Sequence, residues 1–219
     1  MKNHFINEQN TLTERLNLQG TRVADAVQRA FLSFNNEDCE SAQSIIDSDK
    51  YIDREEICIE EECLKLLALY QPVATDLRRL VSVLKINTAL ERMADFACHM
   101  AERTLVLSAC KELNDKLKFD FSPMHKLVQS MLHDTLTVIK RADVDIAYRV
   151  IEQDNAVDVM RAEHRTHVRM ALEQHPHHAD YFMSCHGMAR DLERIADLCS
   201  DICEHIIYLR TATIIRHSI

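Results

Sequence analysis

Leu90-Glu91-Arg92-Met93-Ala94-Asp95 recurs as Leu192-Glu193-Arg194-Ile195-Ala196-Asp197, 102 residues further along the chain. Four residues after each copy stands a polar side chain, His99 or Asp201, and three beyond that a glutamate, Glu102 or Glu204. Self-similarity at a fixed spacing marks a duplicated structural unit. The duplication reaches upstream: Asp38, Ala42, Ile46, Asp49 and Asp53 match Asp143, Ala147, Ile151, Asp154 and Asp158 at an offset of 105. The drop from 105 to 102 predicts a shorter connection before the last helix.

The 219 residues contain only two glycines and three prolines. A chain so poor in turn formers has few turns and favours long helices. Pro72, Pro123 and Pro176 each stand where one apolar period stops and another begins, as suits residues tolerated in a helix's first turn. The pattern predicts an all-α protein of six long helices, near 4–34, 38–70, 73–110, 122–140, 143–173 and 177–211. These form two tandem three-helix bundles, residues 1–113 and 114–219, with the later part of the charged stretch 111–121 as the link. Each half is long enough to bury its own core.

The net charge of −9 and pI near 5.7 argue against a nucleic-acid backbone as partner. No apolar run reaches the length of a membrane span, and the N-terminus lacks the apolar core of an export signal. The chain is therefore expected in the cytosol. In that compartment the eight cysteines do not read as a disulfide framework, and Cys98, Cys199 and Cys203, in helix-periodic contexts, read as small buried hydrophobes.

A helix turns about 100° per residue, so with Glu91 at zero, Asp95, His99 and Glu102 fall near 40°, 80° and 20°. Glu193, Asp197, Asp201 and Glu204 form the same stripe, and the apolar residues lie opposite in both. The acids therefore line a polar face or a groove beside a neighbouring helix. The second helix adds a further stripe, Asp49, Asp53, Glu56 and Glu60. Like charges one turn apart repel, and a multivalent cation would offset the repulsion through oxygen ligands. With His99 in the set a transition metal fits as well. An acidic stripe opposite an apolar one is also what any solvated helix presents. In the fifth helix Asp154 and Asp158 persist, but Arg161 and Arg165 stand where Glu56 and Glu60 stand in the second.

Other features read as packing or surface. His175, His177 and His178 form a surface cluster around Pro176, His164 and His167 occupy an exposed helix face, and Met93, Met100, Met160 and Met170 fill core gaps. A carboxylate-bridged di-metal enzyme of the ferritin type needs Glu-x-x-His twice, and no histidine here has a glutamate three residues before it. A P-loop, a nucleophile elbow and His-Glu-x-x-His are absent too. A metal-binding regulator is the leading reading, with a carboxylate-bridged di-metal enzyme on a helical bundle of another type and a helical adaptor without functional metal as alternatives.

Gln71-Pro72-Val73-Ala74-Thr75-Asp76-Leu77-Arg78, then Leu84-Lys85-Ile86 and Leu90 to Asp95, together resemble the signature of the PhoU family. Asp191 to Asp197 with Ile206-Ile207-Tyr208-Leu209 repeats it, and the resemblance runs from Phe5 to about Arg210. It implies two similar three-helix bundles and a cytoplasmic, non-enzymatic regulator of phosphate uptake. Such proteins work with the phosphate-specific ABC transporter ATPase and a membrane sensor histidine kinase, repressing the phosphate regulon when phosphate is plentiful. The resemblance also implies metal ions, sometimes as multinuclear clusters, on the Glu/Asp-x-x-x-Asp motifs. These are Glu91 with Asp95 and Glu193 with Asp197, joined by Asp49, Asp53, Asp154 and Asp158. Where many members carry asparagine this chain has His99 and Asp201, which leaves iron, zinc, nickel, manganese and magnesium all as candidates. Homodimers are common in the family.

Overall fold

The structure, a computed structural model, describes residues 2–108 and 117–215. Its helices are α1 (Lys2–Asn36), α2 (Cys39–Tyr70), α3 (Ala74–Ser108), α4 (Ser122–Arg141), α5 (Val144–Gln174) and α6 (Ala179–Thr211), with no strand among the described residues. All six predicted helices are present. The expected 113/114 boundary and the last two residues predicted for the third helix lie outside the described residues. The sixth helix starts later than predicted, because Pro176–His178 form a 3-10 turn before it.

The repeat is visible in the caps. Asp38 accepts a hydrogen bond from the Ser41 amide at 3.0 Å. Its counterpart Asp143 accepts from the Asp145 and Ile146 amides at 3.0 and 3.1 Å. Each satisfies orphan N–H groups at the start of the middle helix of its bundle. Glycine is not used to stop the helices: Gln71, Ala142 and Ala212 take the left-handed conformation at the ends of α2, α4 and α6.

Both glycines serve helix packing instead. Gly20 of α1 lies against Leu136 of α4 and Leu90 of α3. Gly187 of α6 leaves room for the Arg103 guanidinium of α3. That guanidinium donates from Nε and Nη2 to Asp191 Oδ2 at 3.0 and 2.7 Å, and Asp191 is fully buried. The two bundles thus meet through α3 on α6 and α1 on α4, and one buried apolar cluster runs through both. Burial of aliphatic side chains supplies most of the driving force. Met93 and Met100 are in that core, as expected, and Met160 packs at its edge; Met170, expected there, is 49% exposed. Its stretch of α5 has only Val168 fully buried. His164 also departs from expectation: it is half-buried and stacks on Phe121 with ring centroids 4.7 Å apart.

Candidate metal centre

The acidic stripes of α2 and α3 face one another. Asp49, Glu56 and Glu91 are half-buried, whereas Asp53, Asp95 and His99 are more exposed. Burial first, then the charges of Asp95, Glu56, Asp53 and Asp49, push the Glu91 carboxyl up to about 7. Burial and the charge of Asp53 raise Asp49 too, with Asp95 adding to the rise and His99 opposing it. Carboxylates whose ionisation is opposed this strongly form a site that a cation would stabilise.

The second groove, between α5 and α6, is tighter. Ligand oxygens of Asp158, Glu193 and Asp197 all lie within 4.8 Å of one another. That separation suits oxygen donors around one divalent ion. Asp154 is pushed up to about 6 by burial, then by Asp197 and Asp158. Its Oδ1 is buried with no hydrogen-bond donor, and so is Glu193 Oε2. A buried carboxylate oxygen without a donor is costly; a metal ion would satisfy Asp154 Oδ1, whereas Glu193 Oε2 already has the Arg161 guanidinium in ion-pair range. The donor set therefore fits a metal.

The groove also carries competition. Arg161 Nε stands 3.5 Å from Glu193 Oε2 and Arg194 Nη1 3.0 Å from Asp197 Oδ2. Burial still raises both carboxyls, against the arginines. In the first bundle the matching contact is Glu56 against Glu91, so one substitution inverts the local charge. Asp201 raises Asp197 from one turn away but also borders a groove with Lys85 and Arg92 of α3. It is the predicted residue least committed to the cluster.

Two participants escaped the sequence reading. Cys98, expected to be a buried hydrophobe, is only half-buried and its thiol lies beside Asp49; burial, then Asp49, raise it. Ser200 holds the matching place beside Asp154. The signal was in the wheel, since Cys98 falls about 20° from Glu91. Cys199 and Cys203 are fully buried as expected. The first groove thus offers carboxylate, imidazole and thiol, and the second oxygen alone.

A duplicated three-helix bundle with an acidic groove beside each apolar core defines the class. The PhoU domain matches this chain twice, over residues 16–104 and 121–206, and the chain belongs to the PhoU family. It is 30% identical over 215 residues to the phosphate-specific transport system accessory protein PhoU homolog 1 of Thermotoga maritima, covering 95% of this chain and 89% of that one. Its identity to the Escherichia coli accessory protein PhoU is 28% over 216 residues, covering 97% and 88%. The crystal structure of PhoU from Pseudomonas aeruginosa superposes with a TM-score of 0.89 at 28% identity, covering 95% of this chain and all of that one. The phosphate transport system regulatory protein PhoU from Streptococcus pneumoniae gives 0.84 at 28% identity, covering 96% and 98%.

Proposed function

We propose that this protein is a non-enzymatic, metal-binding regulator of phosphate uptake. It acts in the cytoplasm on the phosphate-specific ABC transporter ATPase and on its sensor histidine kinase, and holds the phosphate regulon off when phosphate is plentiful. The observation that carries this reading is the PhoU domain repeated across nearly the whole chain, in register with relatives named as phosphate-transport accessory proteins. No helix among the described residues is long and apolar enough to cross a membrane, which fits a partner that docks on membrane proteins from one side.

Asp49, Asp53, Glu91, Asp95 and His99 would hold metal in the first bundle, and Asp154, Asp158, Glu193, Asp197 and Asp201 in the second. A bound cation supplies charge neutralisation, tying α2 to α3 and α5 to α6 and resetting the surface charge that a basic partner meets. Docking of that kind is electrostatic and weakens as salt rises.

The test has two arms. Elemental analysis of untagged protein should find divalent or transition metal, reduced in one bundle by Glu91→Ala with Asp95→Ala and in the other by Glu193→Ala with Asp197→Ala. A deletion strain should express phosphate-starvation genes in phosphate-rich medium. Unchanged metal content defeats the metal sites; normal repression, with no low-salt binding to either partner, defeats the regulatory role.

A further inference from the structure

The Gln71–Arg78 motif takes no part in either acidic groove. Its Thr75 and Arg78 open instead onto a cavity of about 410 Å³ where α1, α3, α4 and α6 converge. Arg78 and Arg79 of α3, Lys140 and Arg141 at the end of α4, and Arg210 of α6 all line it, and no carboxylate does. In a chain of net charge −9, five cations around one cavity without a lining acid are a built asymmetry.

The arginines are positioned rather than paired. Arg78 Nη2 donates to Thr75 Oγ1 at 3.2 Å, and Arg79 Nη2 to Thr13 Oγ1 at 3.4 Å. Both are half-buried. Arg78 Nε is buried with no acceptor, and a buried N–H without a partner costs free energy that a ligand oxygen would recover. Guanidinium forks match phosphate oxygens in geometry and charge. The rest of the wall is mainly apolar, including Leu16, Val83, Ile86 and Ile206, with hydroxyls from Thr13, Thr75 and Ser82.

The internal repeat does not duplicate this cation pair. At the offset of 102, Arg78 and Arg79 correspond to Asp180 and Tyr181. The cation pair was placed once, at the junction of the two bundles.

We propose that this cavity binds a small phosphorylated organic molecule, its phosphate oxygens held by Arg78, Arg79, Lys140 and Arg141 and its body against the apolar wall. Cavity size and mixed lining match those of small-molecule sites. The ligand bridges the two bundles, so its binding would report on their relative seating. This site is separate from the acidic grooves and does not depend on metal.

Isothermal titration of the metal-stripped full chain tests it, since stripping removes phosphate capture through a bound cation. The probes are ATP, pyrophosphate and sulfate. ATP is expected to bind saturably at one per chain, more tightly than pyrophosphate, with sulfate weakest. Arg78→Gln with Arg79→Gln, and separately Lys140→Gln with Arg141→Gln, should each weaken ATP by about tenfold or more, with helical circular dichroism unchanged. Glu91→Gln and Glu193→Gln should leave it unchanged. Pyrophosphate binding as tightly as ATP overturns the organic body. Sulfate binding as tightly as ATP, no saturable binding, or ATP binding that survives both charge variants overturns the site.

Discussion

Replacing Glu91 by Gln in metal-stripped protein should stabilise the fold, with a gain that is absent below about pH 4.5 and full above about pH 7. The Glu91 carboxyl rises from an ordinary 4.5 to about 7 through burial and four neighbouring acids. A carboxyl raised in the folded state costs nothing below about pH 4.5, where it is protonated in both states. The cost grows as pH climbs through this interval and is complete above about 7. Converted in full, the rise corresponds to about 3.4 kcal/mol, but the side chain is only half-buried, and solvent screening reduces this to roughly 1–2 kcal/mol. Glu91→Gln keeps the shape and removes the charge. Urea unfolding of apo wild type and variant at pH 4.5 and pH 8 reads the effect of removing this charge, the relief of its four acidic neighbours included. The variant should be more stable by about 1–2 kcal/mol at pH 8 and near neutral at pH 4.5. Added metal should reverse the order, since the wild type alone keeps the full ligand set. Equal stability at pH 8, or the same gain at both pH values, refutes the electrostatic account of the groove.

Arg161→Glu should convert the second groove to the charge pattern of the first. Removing the arginine 3.5 Å from Glu193 lowers apo stability by about 1 kcal/mol and tightens metal binding, both measurable by melting with and without metal. His125, buried and stacked on Phe31 at 3.6 Å, is held down to about 4 by burial. Stability is therefore lost as pH falls from about 6.5 toward 4. His125→Phe should regain about 2 kcal/mol at pH 5 relative to its effect at pH 8, as read from urea midpoints at the two pH values. Asp191→Ala leaves Arg103 facing a fully buried hole at the junction of the bundles and should cost about 3–5 kcal/mol in urea unfolding. Gly187→Ala should cost a similar order by displacing the same guanidinium; an Ala variant as stable as wild type would show that Arg103 can move freely.

Much of the fold was legible because its signals are local. Asp38 and Asp143 cap the middle helices of the two bundles at the offset that the repeat predicted. Helix boundaries among the described residues came within two residues, the start after Pro176 included, where the chain first makes a 3-10 turn. Misreadings fell where a neighbour decides burial. His164 looked exposed on its own helix but meets Phe121 from the link between the bundles. Met170 looked like core but lies on a stretch of α5 that little covers.

The sequence by itself determined six helices, their pairing into two repeats and the acidic stripe on each, since helical period and internal similarity are properties of one chain segment at a time. Only the tertiary structure decided which stripes meet. It brought Asp158, Glu193 and Asp197 within 4.8 Å of one another, set Cys98 beside Asp49, and used both glycines for close helix approach. It also gathered Arg78, Arg79, Lys140, Arg141 and Arg210 from three helices around one cavity. The reason is physical: a stripe fixes the direction of a side chain about its own axis, whereas packing of one helix on another fixes what that side chain faces.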